Sequence, residues 1–163
     1  FFGCEKLTKI NLESFNTKTV TGMRWMFGAC NNIRNLNLST FNTDNVINTN
    51  NMFSLCSKLE SLSVKKLNTS EVKNMSGLFE DCHSLETIIY NGNENYFYFF
   101  KENIIDINAS RMFYNNYLLK SISLDDNYNS LIEDMSYMFY GCSSLTSIDL
   151  QDFIAEENNA TGC

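Results

Sequence analysis

The most reactive side chains in this sequence belong to its six cysteines and its single histidine. Zinc is usually held by Cys-x-x-Cys or His pairs, but the chain has no Cys-x-x-Cys and only one His. We therefore predict neither a metal site nor a cofactor. Thiols can instead serve as small buried apolar residues, or form disulfides in an oxidising compartment. Both roles remain open for the candidate disulfide residues, which are Cys4, Cys30, Cys56, Cys82, Cys142 and Cys163.

No group of residues in the sequence indicates catalysis. His83 directly follows Cys82, but neighbours in sequence need not touch in the fold, and we interpret His83 as a surface residue. The many Ser and Thr residues are not accompanied by a nucleophile elbow or a second histidine. We therefore predict a protein that is not an enzyme.

An insertion into the repeat described below carries a run of five aromatic residues. It adds eight residues within 91–103, and we expect it to form a loop, because insertions in repeat proteins map to loops on one face. The rings either cover an edge of the fold or form an exposed patch that contacts a partner or another copy of the chain. These candidate contact residues are Tyr96, Phe97, Tyr98, Phe99 and Phe100.

Five Asn-x-Ser/Thr sequons provide candidate modification sites. Each could carry a glycan in a secreted eukaryotic protein, although a chain rich in Asn and Ser contains some sequons by chance. The candidate glycosylation sites are Asn37, Asn68, Asn74, Asn108 and Asn159.

A repeat of about 26 residues runs through the chain and must position all of these side chains. All cysteines except Cys163 recur at one position of this repeat, and Asn116 takes the place of cysteine after a longer step. Each copy begins with a Leu-x-x-Leu-x-Leu pattern, as in Leu7, Ile10 and Leu12. The last two positions alternate, which is typical of a short strand.

The second half of each repeat predicts a helix. Apolar residues recur at steps of three and four, as in Val20, Met23 and Met26, which is the spacing of one helix face. The preceding pair Asn16-Thr17 is suited to an N-cap. The sequence therefore predicts an α/β solenoid of about six 26-residue strand–helix units, with parallel strands on one face and helices on the other.

Alternate positions of the predicted strands point away from the core and form an extended polar face. Repeat proteins bind partners on such faces. This face has small polar groups and no cluster of Tyr, Trp or Arg anchors. A solvated surface and a weak or multivalent contact with a protein or glycan both remain open. The candidate strand-face contacts are Asn35, Asn37, Ser61, Ser63, Ser121, Ser123 and Asp149.

The fuller motif Phe-Asn-Thr-x-x-Val-x-x-Met-x-x-Met-Phe-x-x-Cys-x-x-Leu resembles the BspA-like class of leucine-rich repeats, also described as mycoplasma lipoprotein-associated repeats. The stretch from Met135 to Leu150 is closely similar to it, and the resemblance covers nearly the whole chain. It implies a fold of leucine-rich-repeat type. It also implies a bacterial, mycoplasmal or protist surface protein that acts in adhesion and protein binding, and it identifies no ligand.

Composition and charge narrow the class of protein further. A chain of 163 residues that is 44% hydrophobic suits a single domain, 1–163. The net charge is −7 and no basic run is long enough to follow a phosphate backbone, so nucleic acid is not an expected partner. No apolar stretch approaches the ~20 residues that span a bilayer. We expect a secreted or cell-surface, non-enzymatic module that binds a protein or glycan ligand.

The sequence begins and stops in the middle of a repeat. Two interpretations remain open at this point. The chain is part of a longer repeat array, or its copies stack end to end and continue the repeat, which would produce an open fibre. The alternative function is therefore a structural subunit of an extracellular filament, with copies of the chain as its partners.

Overall fold

The structure is a computed structural model that describes residues 1–64, 71–90, 93–94, 96–98, 107–125 and 132–149. Within these residues the regular elements are short β-strands joined by turns, and none is a helix. The strands are β1 (Asn35–Asn37), β2 (Ser61–Val64), β3 (Thr87–Tyr90), β4 (Asn93–Glu94), β5 (Tyr96–Tyr98), β6 (Ile107–Asn108), β7 (Ser121–Asp125), β8 (Ile132–Asp134) and β9 (Ser147–Asp149).

Successive repeats stack so that equivalent residues pair in parallel. Leu36 of β1 lies opposite Leu62 of β2, and Leu62 lies opposite Ile88 of β3. Strand β4 adds an antiparallel edge to this sheet, β7 pairs with both β5 and β9 in a second sheet, and β6 pairs with β8. The alternating Leu pattern therefore predicts the parallel strands correctly.

A second line of parallel pairing joins the other half of each unit. Isolated bridges connect Gly22 to Asn48, Asn48 to Asn74, and Asn74 to Asn108, and the pairing continues from β6 to β8. Neighbouring units are therefore hydrogen-bonded on two sides, and not only through the predicted strand face.

The predicted α/β solenoid is wrong, because the second half of each described unit forms consecutive turns instead of a helix. The N–H of Met26 donates to the carbonyl of Met23, three residues back, at 3.1 Å. The next N–H, that of Phe27, leaves its own segment and donates to the carbonyl of Met52 at 2.9 Å. A helix requires every such N–H to bond four residues back. Here every second backbone N–H donates instead to a carbonyl of the neighbouring unit.

Two left-handed residues in each unit give a physical reason for the turns. Trp25 and Ala29 both have a φ of 56°, which interrupts a right-handed helix. Steps of three and four then arise from successive short turns that each return an apolar side chain to the core. The residues with positive φ are Gly3, Trp25, Ala29, Asn51, Leu55, Gly77, Asp81, Arg111, Asn115, Tyr137 and Gly141.

The Asn-Thr pair does not cap a helix, contrary to its predicted role. The side-chain oxygen of Asn16 accepts the Lys18 N–H at 3.1 Å, which is an Asx turn. The buried Thr17 hydroxyl donates to the Asn42 carbonyl and accepts the Asn42 N–H, both at 2.8 Å. The pair therefore links one unit to the next.

A column of phenylalanine rings runs through the core along the stacking direction. Each ring lies on the equivalent ring of the next unit, with centroids 5.3 to 5.8 Å apart. Buried Leu36, Leu62 and Ile88 pack into the same core. An isolated unit would leave these side chains in water, so stacking stabilises the fold. The rings of the column are those of Phe1, Phe27, Phe53, Phe79, Phe113 and Phe139.

The aromatic insertion is not entirely the expected loop. Tyr96–Tyr98 form β5, whose Phe97 lies opposite Leu124 of β7 in a parallel pair. The insertion therefore contributes backbone to a sheet. Phe99 and Phe100 lie outside the described residues.

Candidate functional site

A groove of about 550 Å³ lies on the strand face of the first three units. It is built where β1 and β2 run side by side, together with the equivalent segment of the first unit. We call it the strand-face groove. Its lining residues are Thr8, Lys9, Ile10, Asn32, Arg34, Asn35, Leu36, Asn37, Ser61 and Ser63.

Four of the predicted strand-face contacts come together in this groove. The register of β1 and β2 places Asn35 beside Ser61 and Asn37 beside Ser63. The Ser61 hydroxyl donates to the Asn35 side-chain oxygen at 2.6 Å. Because the strand period is two, these polar residues share one face while Leu36 and Leu62 point into the core. Their amide and hydroxyl groups provide both donors and acceptors to a ligand.

The groove is locally positive in an acidic protein. Among the described residues that line it, Lys9 and Arg34 are cationic and none is a carboxylate. The nearest acidic partner is Glu60, which forms an exposed ion pair with Arg34. Exposed pairs of this kind contribute only about 0–1 kcal/mol, so a ligand carboxylate can compete with Glu60 for Arg34. The arrangement suits a partner with carboxylates and hydrogen-bonding groups.

The remaining predicted strand-face contacts belong to another sheet. Ser121 and Ser123 lie on β7 and are half-buried, and Ser123 pairs with Asp149 of β9. The predicted polar face is therefore divided between two sheets. Only the first four of its residues line the strand-face groove.

Lys9 is an outward strand position by sequence, whereas Arg34 was not among the predicted strand-face residues. A usable signal was present, because Arg34 and Glu60 are 26 residues apart and occupy the same repeat position with opposite charges. Such a pair is expected to lie side by side once the repeats stack. It marks the charged rim of the groove.

The cysteines form a ladder of hydrogen-bond donors. The thiol of Cys56 donates to the carbonyl of Phe27 at 3.0 Å, and that of Cys82 to the carbonyl of Phe53 at 3.1 Å. Equivalent bonds join Cys30 to Phe1 and Cys142 to Phe113. The thiols are therefore polar links between units as well as small core residues.

Burial raises the pKa of these thiols. The pKa of Cys56 rises to about 12 and that of the less buried Cys142 to about 11. Desolvation is also the main cause that raises the pKa of Cys82 well above its ordinary value. The thiols thus remain protonated donors near neutral pH, which disfavours reactive thiolate chemistry. Cys4, in contrast, is exposed.

Asn116 replaces cysteine in the same ladder. Its side-chain N–H donates to the carbonyl of Phe79 at 2.9 Å, as the thiol does in other units. Its side-chain oxygen is buried without a hydrogen-bond partner. The substitution therefore keeps the donor and adds an unsatisfied acceptor, which costs free energy.

The other candidate residues do not form a common site. The Asn74 side-chain oxygen accepts the Ser76 N–H, that of Asn108 accepts the Ser110 N–H, and His83 stacks on Tyr117 at 4.8 Å. The five described cysteines are free thiols. The predicted sites that lie outside the described residues are Asn68, Phe99, Phe100, Asn159 and Cys163.

Two kinds of feature are absent from the described part of the chain. It contains no group of three or more His, Cys, Asp or Glu side chains arranged to hold a metal ion. None of its segments is a helix long and apolar enough to cross a membrane.

Comparison with known proteins gives two family matches. Residues 1–104 match the model described as "Mycoplasma protein of unknown function, DUF285". Residues 77–160 match the "BspA type Leucine rich repeat region". Each match covers more than half of the chain. No curated protein and no solved structure matched.

Proposed function

We propose that this chain, which belongs to the family of BspA-type leucine-rich repeat proteins, is a non-enzymatic surface module for protein binding or adhesion. The family suggests such a role in general terms. The observation that carries the proposal is the strand-face groove, with Lys9 and Arg34 beside the Asn35 and Ser61 side chains.

The proposed partner is an acidic segment of another protein. Its carboxylates would meet Lys9 and Arg34, and its backbone amides would bond to the Asn and Ser side chains. Charged groups at a contact of this kind give specificity and fast association more than high affinity. A weak contact with each module would become strong when many modules engage one surface, as adhesion requires.

A hexaglutamate peptide provides a direct test, with hexaglutamine as the neutral match. We expect hexaglutamate to bind more tightly, to weaken with added salt, and to shift NMR signals of groove residues. Lys9→Ala should weaken binding about two- to fivefold, as expected for one exposed charge. Lys18→Ala removes an exposed lysine outside the groove lining and should leave affinity unchanged. Equal binding of both peptides would contradict the proposal.

A filament subunit is the second candidate function. The Phe column and both lines of parallel pairing run along the stacking direction, so the interactions that join units within a chain would suit contacts between chains. Sedimentation velocity tests this candidate. Long reversible fibres would support it, and a monomer at high concentration would contradict it.

A further inference from the structure

Four tyrosines lie on the turn segments of the fourth and fifth units. Tyr117, Tyr137 and Tyr140 are 40%, 45% and 51% exposed. The ring of Tyr114 stacks on that of Tyr140, with centroids 5.0 Å apart. We call these four residues the tyrosine patch. None of them lines the strand-face groove, so the patch is a separate surface.

The rings of the patch are held in fixed positions. Tyr137 meets Tyr140 edge to face at 6.1 Å, and Tyr117 is stacked on His83 at 4.8 Å. The Tyr114–Tyr140 and His83–Tyr117 stacks each join two neighbouring units. Rigid aromatic rings provide a large contact area at a low entropic cost, and tyrosine is enriched among residues that dominate binding energy.

The polar groups around the patch are already paired with each other. Arg111 donates to Glu80 from Nε at 2.9 Å, and Asn115 donates to Asp81 at 2.8 Å. Groups engaged in this way are poorly placed to bind the hydroxyls of a sugar. The surface therefore offers a partner mainly ring faces, which favours a protein segment over a glycan.

Arg111 shows which side chain the rings accept. Its guanidinium lies 3.9 Å from the centroid of the Tyr114 ring while it bonds to Glu80 in the preceding unit. Tyr140 occupies the same repeat position as Tyr114, one unit further along. Tyrosine ring faces attract guanidinium groups, and the net charge of −7 on the chain adds a long-range attraction for cations.

We propose that the tyrosine patch binds an arginine-bearing segment of a basic partner protein. A guanidinium from the partner stacks on the exposed ring of Tyr140, as Arg111 stacks on Tyr114. The aliphatic stem of the same arginine covers Tyr137, and a second cation reaches Tyr117.

Hexa-arginine is the probe that tests this surface, and hexacitrulline is its uncharged match. We expect hexa-arginine to bind the full chain and to shift NMR signals of the patch, and hexacitrulline to bind at least tenfold more weakly. Tyr140→Ala should weaken hexa-arginine binding about two- to fivefold, while Tyr140→Phe, which keeps the ring, should bind like the unmodified chain. Lys9→Ala alters the groove alone and should not weaken this binding.

Three outcomes would overturn the proposal. Hexa-arginine could bind equally well to the unmodified chain and to Tyr140→Ala. Its NMR shifts in the unmodified chain could lie away from the patch, a result that does not depend on how any variant folds. Neutral maltohexaose could bind in a manner lost in Tyr140→Ala, which would indicate a glycan surface.

Discussion

Buried thiols in this protein act as hydrogen-bond donors between neighbouring units. The Cys82 thiol reaches the carbonyl of Phe53, which also accepts the backbone N–H of Cys56. A purely apolar residue at this position would fill the space but leave the second bond unmade. The repeated choice of cysteine is explained by its small size, its tolerance of burial and its weak donor. Asn116 supports this explanation, because it supplies the same donor with a different side chain.

Restoring the ladder should stabilise the protein. Asn116→Cys keeps a donor for the Phe79 carbonyl and removes the buried, unpaired Asn116 oxygen. We expect the free energy of unfolding to rise by about 1–2 kcal/mol, measured by urea denaturation. Cys82→Asn is the matched control and should lower the free energy of unfolding. A destabilising Asn116→Cys would contradict the assigned role of the ladder.

The raised thiol pKa values predict a loss of stability at high pH. Between the ordinary value of 9.0 and about 12, the unfolded chain releases the Cys56 proton while the folded chain keeps it. Because the unfolded state then binds fewer protons, the free energy of unfolding falls as pH rises, by up to about 1.4 kcal/mol per pH unit for this thiol. Below pH 9 this contribution is fully retained.

Urea denaturation from pH 8 to pH 10.5 would measure this loss. Lysine and tyrosine also titrate in this range, so the informative quantity is the difference between the unmodified chain and Cys56→Ala. The variant should lose less stability over the same pH range. Parallel curves for the two proteins would be inconsistent with a buried, protonated Cys56.

At the scale of the element, the unit is a chain of turns fixed by left-handed residues. Gly77 has a φ of 59° and its Cβ position is blocked, since an added Cβ would lie 2.2 Å from the Asn51 side-chain oxygen. In the first unit the equivalent residue is Trp25, which adopts the same conformation without being glycine. Stacking interactions with the neighbouring unit must therefore offset the cost of left-handed backbone at the non-glycine positions.

Glycine at one of these positions should relieve strain. Ala29 has a φ of 56°, and an L-residue there costs about 1–2 kcal/mol, so Ala29→Gly should raise the free energy of unfolding by up to about 1 kcal/mol. Ala109 is fully buried and is not among the described residues with positive φ. Ala109→Gly is therefore the control and should lower the free energy of unfolding by about 1 kcal/mol. Thermal denaturation of both variants measures the difference, and equal losses would argue against strain at Ala29.

The sequence predicted the strands but not the turns, and the reason is physical. Apolar residues at alternate positions, such as Leu36 and Leu38, indicate a strand, and Leu36 does lie in β1. Steps of three and four, as from Met23 to Met26, have two meanings, because a helix and a series of short turns both return apolar residues to one face. Asn51 and Gly77 occupy the same repeat position, and both residue types favour left-handed backbone. This preference is the sequence signal that distinguishes a series of turns from a helix.

The groove and the tyrosine patch could be predicted only in part. Asn35 and Ser61 followed from strand periodicity, since outward positions of neighbouring strands must meet. Lys9 is also an outward position, whereas Arg34 could be placed only once the units that border the groove were known. The tyrosine patch depends on the turns, so a predicted helix in that place could not bring Tyr114 onto Tyr140.

At the scale of the whole molecule, the stack separates two surfaces of different chemistry. The strand-face groove carries Lys9 and Arg34 with small polar groups, whereas the tyrosine patch offers ring faces in an otherwise acidic chain. A repeat protein can vary such surfaces independently, because each unit contacts only its neighbours. The two proposed partners, an acidic segment and a basic one, can therefore be bound at once.

The most direct test of the proposed binding role uses the ion pair at the rim of the groove. Glu60→Gln releases Arg34 from its exposed partner, and Glu86→Gln removes the same charge from the equivalent position of the next unit, away from the groove lining. We predict that Glu60→Gln strengthens hexaglutamate binding about two- to fivefold in calorimetry, while Glu86→Gln changes it much less. Unchanged or weaker binding by Glu60→Gln, or an equal gain in both variants, would contradict the assignment of this groove as the binding site.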